Sequence, residues 1–265
     1  MFDSKTRRLM TAGALAVGIY FGGSAEAQQP QPAQPAAAPR QGGGGGPAGP
    51  DSLQIGDLTG FVSIFDGTLK NWDGDPAFWR AENNTIVGES SLTNAVKQNT
   101  FLIYRAEQPR DFELKVEFKM NSTNSGVQFR SKSIPGDHQW RLAGYQADFD
   151  FVNRFTGSIY DEQGRGGFLA LRGQFARGDV GAKRRVLGQL ADDASLKGTI
   201  KINDWNQLHV IARGNLITVM INGKMMSQFV DEDPENRELE GLMGLQMHVG
   251  APMKVEFRNI YLKKL

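Results

Sequence analysis

The sequence has no cysteine among its 265 residues. Disulfides and a thiol-linked lipid anchor are thereby excluded, and the folded part must be held by its core alone. Histidine is scarce, with three residues, and no pair stands at the tight HExxH spacing of a helical metal site. Charge of one sign is also lacking: Lys+Arg 30 against Asp+Glu 29 give a formal charge of +1. A general attraction to nucleic acid or anionic membrane is therefore not expected, and a small ligand fits better. Long apolar runs are missing too. The stretch Leu9 to Phe21 falls short of the about 20 residues that a membrane span needs.

That short run follows Lys5, Arg7 and Arg8 and precedes "SAEA", whose Ala25 and Ala27 form a small-x-small cleavage pattern. Residues 1–27 are expected to be a bacterial signal peptide, with export to the periplasm or beyond and no stable membrane insertion after cleavage. Residues 28–56, beginning "QQPQPAQPAAAPRQGGGGGPAGP", carry almost no apolar bulk to offset the entropy of ordering them and read as a Pro/Gly-rich linker. The remainder, 57–265, reads as one folded domain.

In that domain, short alternating runs are punctuated by Gly, Asn, Asp and Pro, the pattern of an antiparallel all-β protein. "FELKVEFKM" puts Phe112, Leu114, Val116 and Phe118 on one side, with Glu113, Lys115, Glu117 and Lys119 expected toward water. Asn222-Gly223 is the preferred pair for a type I′ turn between two strands. "GAKRRVLGQLADDASL" has room for a short helix on a long excursion spanning Gln163 to Lys197. So many strands predict two stacked sheets.

Three strands have polar sides unlike the Lys/Glu mixture of a solvated face. "NSGVQFRS" presents Asn124, Gly126, Gln128 and Arg130 opposite Val127 and Phe129. "GYQADFD" presents Gln146, Asp148 and Asp150, and "GLMGLQMHVG" presents Gly244, Gln246 and His248. Amides, carboxylates, an imidazole and a guanidinium are groups that engage sugar hydroxyls through paired donors and acceptors. Equally, Arg130 with Asp148 could be a cross-strand ion pair, and the glutamines an amide ladder. A lone histidine such as His248 is by itself more often structural, as His138 and His209 are read.

Taken in order, "GFVSIFDGTLKNW", "FWRAENNTIVGES", "DFELKVEFKMNSTNSGVQFRS", "GYQADFD", "TGSIYDEQGRGG", "DWNQLHVIARGNLITVMINGK" and "GLMGLQMHVGAPMKVEFRNIYLKKL" resemble the 3-keto-disaccharide hydrolase family over nearly everything after Gly60. The resemblance implies a concanavalin A-like jelly-roll β-sandwich of two antiparallel sheets, with the site on its concave sheet. It also implies glycosidic cleavage of sugars oxidised at C3. Many members show Glu where this chain has Gln146 and Gln where it has Asp148, so one acid stays on the face but moves by two residues.

A C3 ketone makes the C2 proton acidic, so such a site needs a base near C2, a positive group at the ketone oxygen and an acid for the leaving sugar. The expected catalytic set is Asp148 or His248 as base, Arg130 at the ketone, and Tyr160 or Glu162 as acid. Asn124, Gln128, Gln146, Gln246, Trp140 and Arg165 are expected to bind substrate. No cofactor is required by the pattern. A divalent cation on Asp148, Glu162 and His248 is an alternative electrophile. The competing function is a non-catalytic carbohydrate-binding module, in which aromatics such as Trp140 and Tyr145 would face the sugar.

Overall fold

The computed structural model describes residues 53–136 and 139–265. The expected signal peptide, most of the expected linker, and His138 lie outside the described residues. The chain from Asp51 to Leu265 groups as one compact unit.

Its strands begin with β1 (Val62–Ser63), β2 (Trp72–Asp73), β3 (Trp79–Glu82), β4 (Thr85–Glu89) and β5 (Thr100–Tyr104). Then come β6 (Phe112–Met120), β7 (Asn124–Ser133), β8 (Leu142–Asp150), β9 (Ser158–Glu162), β10 (Gly167–Ala170), β11 (Gln174–Asp179) and β12 (Lys183–Gln189). A short helix, α1 (Asp193–Lys197), precedes β13 (Asn206–Arg213), β14 (Leu216–Ile221), β15 (Lys224–Asp231), β16 (Leu242–Met247) and β17 (Lys254–Lys264). One sheet runs β12-β11-β15-β14-β13-β6-β17-β4-β3, with β1 also on β17; the other runs β10-β9-β8-β7-β16-β5-β2. Pairing is antiparallel except for β11 beside β15. The expected all-β sandwich is present.

The alternation seen in sequence explains the core. Phe112, Leu114, Val116 and Phe118 of β6, Val127 and Phe129 of β7, and Tyr145, Ala147 and Phe149 of β8 are all buried between the sheets. Phe118 and Phe149 stack across the interior with centroids 3.9 Å apart, a pairing that contributes about 0.5–1.5 kcal/mol beyond area burial. The Asn222-Gly223 turn has φ of 50° and 75°, both positive as type I′ geometry demands.

Register shifts at several places in the two sheets, and two of these bulges matter here. On β17 the inward set passes from Val255 and Phe257 to Ile260 and Leu262, with Asn259 at φ 49° absorbing the extra residue. On β7 the register shifts between Phe129 and Lys132, with Arg130 at φ 46°.

Three other expectations need correction. Lys115 does not face water: its ammonium donates to the carbonyls of Ile55 (3.2 Å) and Asp57 (2.5 Å), which lie across that face. Folded packing thus begins just inside the segment read as linker. Tyr145 belongs to the core, with its hydroxyl donating to Asp231 at 2.5 Å, and has no face for a sugar. The Gln163 to Lys197 segment holds three strands: β10 extends one sheet, and the β11–β12 hairpin extends the other. Only its last part is the helix expected there.

Candidate functional site

The outward face of β7, β8, β9 and β16 carries the polar residues singled out above. Register places Gly126 beside Asp148 and Asp148 beside Ser158; one step along, Gln128 sits between Gly244 and Gln146, and Gln146 beside Tyr160. A cleft of about 540 Å³ opens over this floor, lined among others by Asn124, Gln146, Asp148, Tyr160, Glu162, Gln246 and His248.

Asp148 is 5% exposed. Asn124 Nδ2 donates to both its oxygens at 3.1 Å, and Gln146 Nε2 donates to Oδ1 at 3.0 Å. These bonds favour the charged form, but burial opposes it more strongly, and Asp150 and Glu162 add repulsion. Its pKa is pushed up to about 7. A carboxyl with that value is poised to take or give a proton near neutrality.

Gln146 reaches both Asp148 and Gln246 because its side chain lies flat over Gly126. A Cβ at residue 126 would meet Gln146 Cδ at 2.5 Å, closer than such contacts occur. Gly126→Ala should therefore displace the amide and remove one hydrogen bond to the Asp148 carboxylate. We expect the Asp148 pKa to rise further by about one unit, read by carboxyl NMR titration.

Gln146 Oε1, Gln246 Nε2 and both amide atoms of Gln128 have no partner among the described residues. Leaving such groups buried and unpaired costs about 1–3 kcal/mol each. The acceptor on Gln146 beside the donor on Gln246 is the complement of one hydroxyl, so a polar guest or ordered water at the floor would relieve them.

The other walls are held firmly. Glu162 is 6% exposed and accepts from Asn99 Nδ2 at 3.1 Å, while Asn99 Oδ1 accepts from the Val249 N–H at 3.0 Å. Tyr160 packs edge-on against Phe168 at 5.2 Å, and burial, followed by the Glu162 charge, raises its pKa. His248 follows β16; its Nδ1 lies 2.5 Å from the Val249 carbonyl oxygen. That contact places the neutral ring's proton on Nδ1 and leaves Nε2 an acceptor. Asp150 is occupied otherwise, accepting from the backbone N–H groups of Arg154, Phe155 and Thr156 at 2.8, 2.7 and 3.0 Å. It thereby folds that loop against the rim of the cleft.

Several expected residues lie elsewhere. Arg130 is 1% exposed and points away from the cleft, donating to the carbonyls of Arg110 and Gly214 and pairing with Asp111 at 3.0 Å. The bulge at its own positive φ reverses its side, which no alternating pattern reveals. Arg165 is also removed: it is buried in ion pairs with Asp161 and Asp231, both at 2.8 Å. Gln128 is fully buried beneath the floor and does not line the cleft. Trp140 lines a separate cavity, its indole N–H donating to Asp73 Oδ1 at 2.8 Å. Asp148, Glu162 and His248 share the cleft but are not a ligand set: among the described residues no three His, Asp or Glu side chains group closely enough to hold a metal.

Asn99, Arg154, Phe155 and Phe168, which sequence reasoning passed over, complete the wall. Arg154 is exposed, and its guanidinium lies 4.8 Å from the Phe155 ring. Its cue was slight: a cation and an aromatic in "NRF", four residues beyond an aspartate that caps the turn.

Similarity to known proteins agrees with this architecture. Two structures of Parabacteroides distasonis proteins described as candidate glycosyl hydrolases share the fold. One is 18% identical, covers 77% of this chain and 99% of its own, and has a TM-score of 0.50; the other is 15% identical, covers 78% and 94%, and has a TM-score of 0.51. The carbohydrate-binding module CBM66 from Bacillus subtilis is 15% identical, covering 75% of this chain and 98% of its own, with a TM-score of 0.48. No curated protein matches the chain. The model of the 3-keto-alpha-glucoside-1,2-lyase-like domain matches residues 60–263, and the chain therefore belongs to that family, whose chemistry is that of carbohydrates.

Proposed function

We propose that this protein is an exported enzyme that cleaves 3-keto-glycosides by elimination across C1 and C2, followed by hydration. The observation that carries this reading is Asp148: a nearly enclosed carboxyl with pKa about 7 on a cleft floor otherwise made of amides.

Asp148 takes the C2 proton, and the C–H electron pair moves into an enolate whose negative charge rests on the C3 oxygen. Arg154, the cation on the rim, takes the place first assigned to Arg130 and holds that charge, with the Tyr160 hydroxyl as a further donor. The enolate collapses, C3=O re-forms, a C1=C2 double bond appears and the C1–O bond breaks. Glu162, on the wall of the cleft, serves as the acid toward the departing oxygen. Water then adds, its oxygen to C1 and a proton to C2, so the net change is hydrolysis. His248, with Nε2 as an acceptor, serves to activate that water. Gln146 and Gln246 hold a ring hydroxyl, and Asn124 keeps Asp148 in place.

The test is incubation of the purified protein with 3-keto-trehalose and 3-keto-glucosides, and with the same glycosides unoxidised, with and without chelator. Release of 3-keto-glucose from the oxidised substrates alone is expected. Calorimetric binding of intact glycan without product would establish the binding-module reading instead.

A further inference from the structure

Arg154, assigned above to the enolate, owes its place to its backbone. Its guanidinium pairs with no carboxylate among the described residues and lies against the ring of its own neighbour Phe155, 4.8 Å away. A long side chain held so lightly goes where its Cα goes. That Cα lies in the connection 151–157 between β8 and β9.

Two side chains of opposite charge fix this connection. Asp150 takes the N–H groups of Arg154, Phe155 and Thr156, and Arg172 takes the carbonyls. Arg172 Nη1 donates to the Thr156 carbonyl at 2.7 Å and to Asn153 Oδ1 at 2.9 Å, and Nη2 donates to the carbonyls of Asn153 and Arg154 at 3.2 and 3.4 Å. Its Nε donates to Asp193 Oδ1 at 2.8 Å. Every N–H that a guanidinium possesses is thereby spent, and the side chain is 2% exposed. Arg154 and Thr156, on either side of Phe155, are each gripped at both backbone polar groups.

The clasp is anchored in turn. Asp193 also binds Lys197 Nζ at 2.9 Å, and Asn153 Nδ2 donates to the Lys197 carbonyl at 3.3 Å. The long excursion seen in sequence thus returns, through Arg172 and α1, to the rim of the cleft. Arg172 itself does not line that cleft.

Resting on the function proposed above, we propose that Arg172 is a positioning residue for enolate formation, holding Arg154 on the rim through the carbonyls of the 151–157 connection. A displacement of about 1 Å at such a group is enough to cost about a hundredfold in rate.

Arg172→Lys keeps the charge but offers one nitrogen where the connection now meets two. With a 3-keto-glucoside, kcat is expected to fall by about ten- to a hundredfold while KM moves by less than about threefold, because Arg154 meets its charge only as the enolate forms. Arg154→Met should cost at least as much, and adding Arg172→Lys to it should cost nothing further. Losses that multiply in the double variant would overturn the proposal. So would an Arg172→Lys protein that melts lower but keeps its kcat, since that is the mark of a purely structural arginine. A second readout needs no substrate: backbone hydrogen exchange over 151–157 should quicken by about tenfold or more in Arg172→Lys, and equal exchange there would refute the clasp. If wild type cleaves no 3-keto-glucoside, the proposed function fails, and exchange alone decides whether Arg172 holds the connection. Should Arg172→Lys not fold, Asn153→Gly takes its place with the same expected directions. Glycine accepts the φ of 54° at that position while removing one acceptor of the clasp and the bond to Lys197.

Discussion

Asp148→Asn is expected to lower turnover of a 3-keto-glucoside by about two to four orders of magnitude, the usual worth of a positioned base. The wild-type rate should rise with pH through about 7, the value to which burial pushes this carboxyl. Retention of turnover within tenfold would remove Asp148 as the base and leave His248. The same substitution has the opposite effect on stability. In the unfolded chain the carboxyl titrates near its ordinary 3.8, and in the folded protein near 7. Between those values the native state holds the extra proton, so stability falls as pH rises from about 4 to about 7 and is level above that. Three units correspond to about 4 kcal/mol of penalty on the ionised form. The amide carries no such penalty, so at pH 8 the variant should melt higher than wild type by on the order of 5–10 °C. The gap should narrow at pH 5. Thermal scans across that range, alongside the kinetics, separate a catalytic loss from a folding defect.

Arg165→Met should destabilise the protein by about 3–5 kcal/mol, because it leaves buried charges uncompensated. The guanidinium is 2% exposed between Asp161 and Asp231 and lies 5.7 Å from the Tyr145 ring and 5.8 Å from the Phe229 ring. Tyr145 donates to Asp231 on the same spot, and its own pKa is raised, chiefly by burial. Without the guanidinium, Asp161 is left with the Arg165 backbone N–H, and Asp231 with the Tyr145 hydroxyl and the Asp233 N–H, but neither keeps a counter-charge. Denaturant unfolding measures this. Adding Asp161→Asn and Asp231→Asn should restore much of the stability. A substrate-binding role, the role first expected of Arg165, predicts instead a raised KM with an unaltered unfolding midpoint.

The two arginines show where sequence reading stops. Arg130 and Arg165 both stand in segments that look like ligand faces, "NSGVQFRS" and "DEQGRGG". One is turned about by a single extra residue in its strand, and the other is drawn inward by an acid 66 positions away in the chain. Neither event leaves a local mark, since a bulge depends on how two neighbouring strands pair and an ion pair depends on its distant partner. Arg154 escaped notice for the same reason: its place on the rim is set by Asp150 gathering three backbone N–H groups behind it. Gln146, Asp148, Gln246 and His248 were legible because each lies on a strand or at its immediate end, where alternate residues share a side as long as register holds.

Alternation of apolar residues, turn chemistry at Asn222-Gly223 and the ordered series of family segments determined from sequence alone that the chain is a β-sandwich of carbohydrate-related lineage, with amides and one acid on a shared face. These are properties of neighbours two residues apart or of whole-chain likeness, and both are written along the chain. Tertiary structure decided which charges remain on that face and how far the Asp148 pKa is moved. Those outcomes depend on water exclusion and on partners brought together across strands, and a linear pattern carries neither.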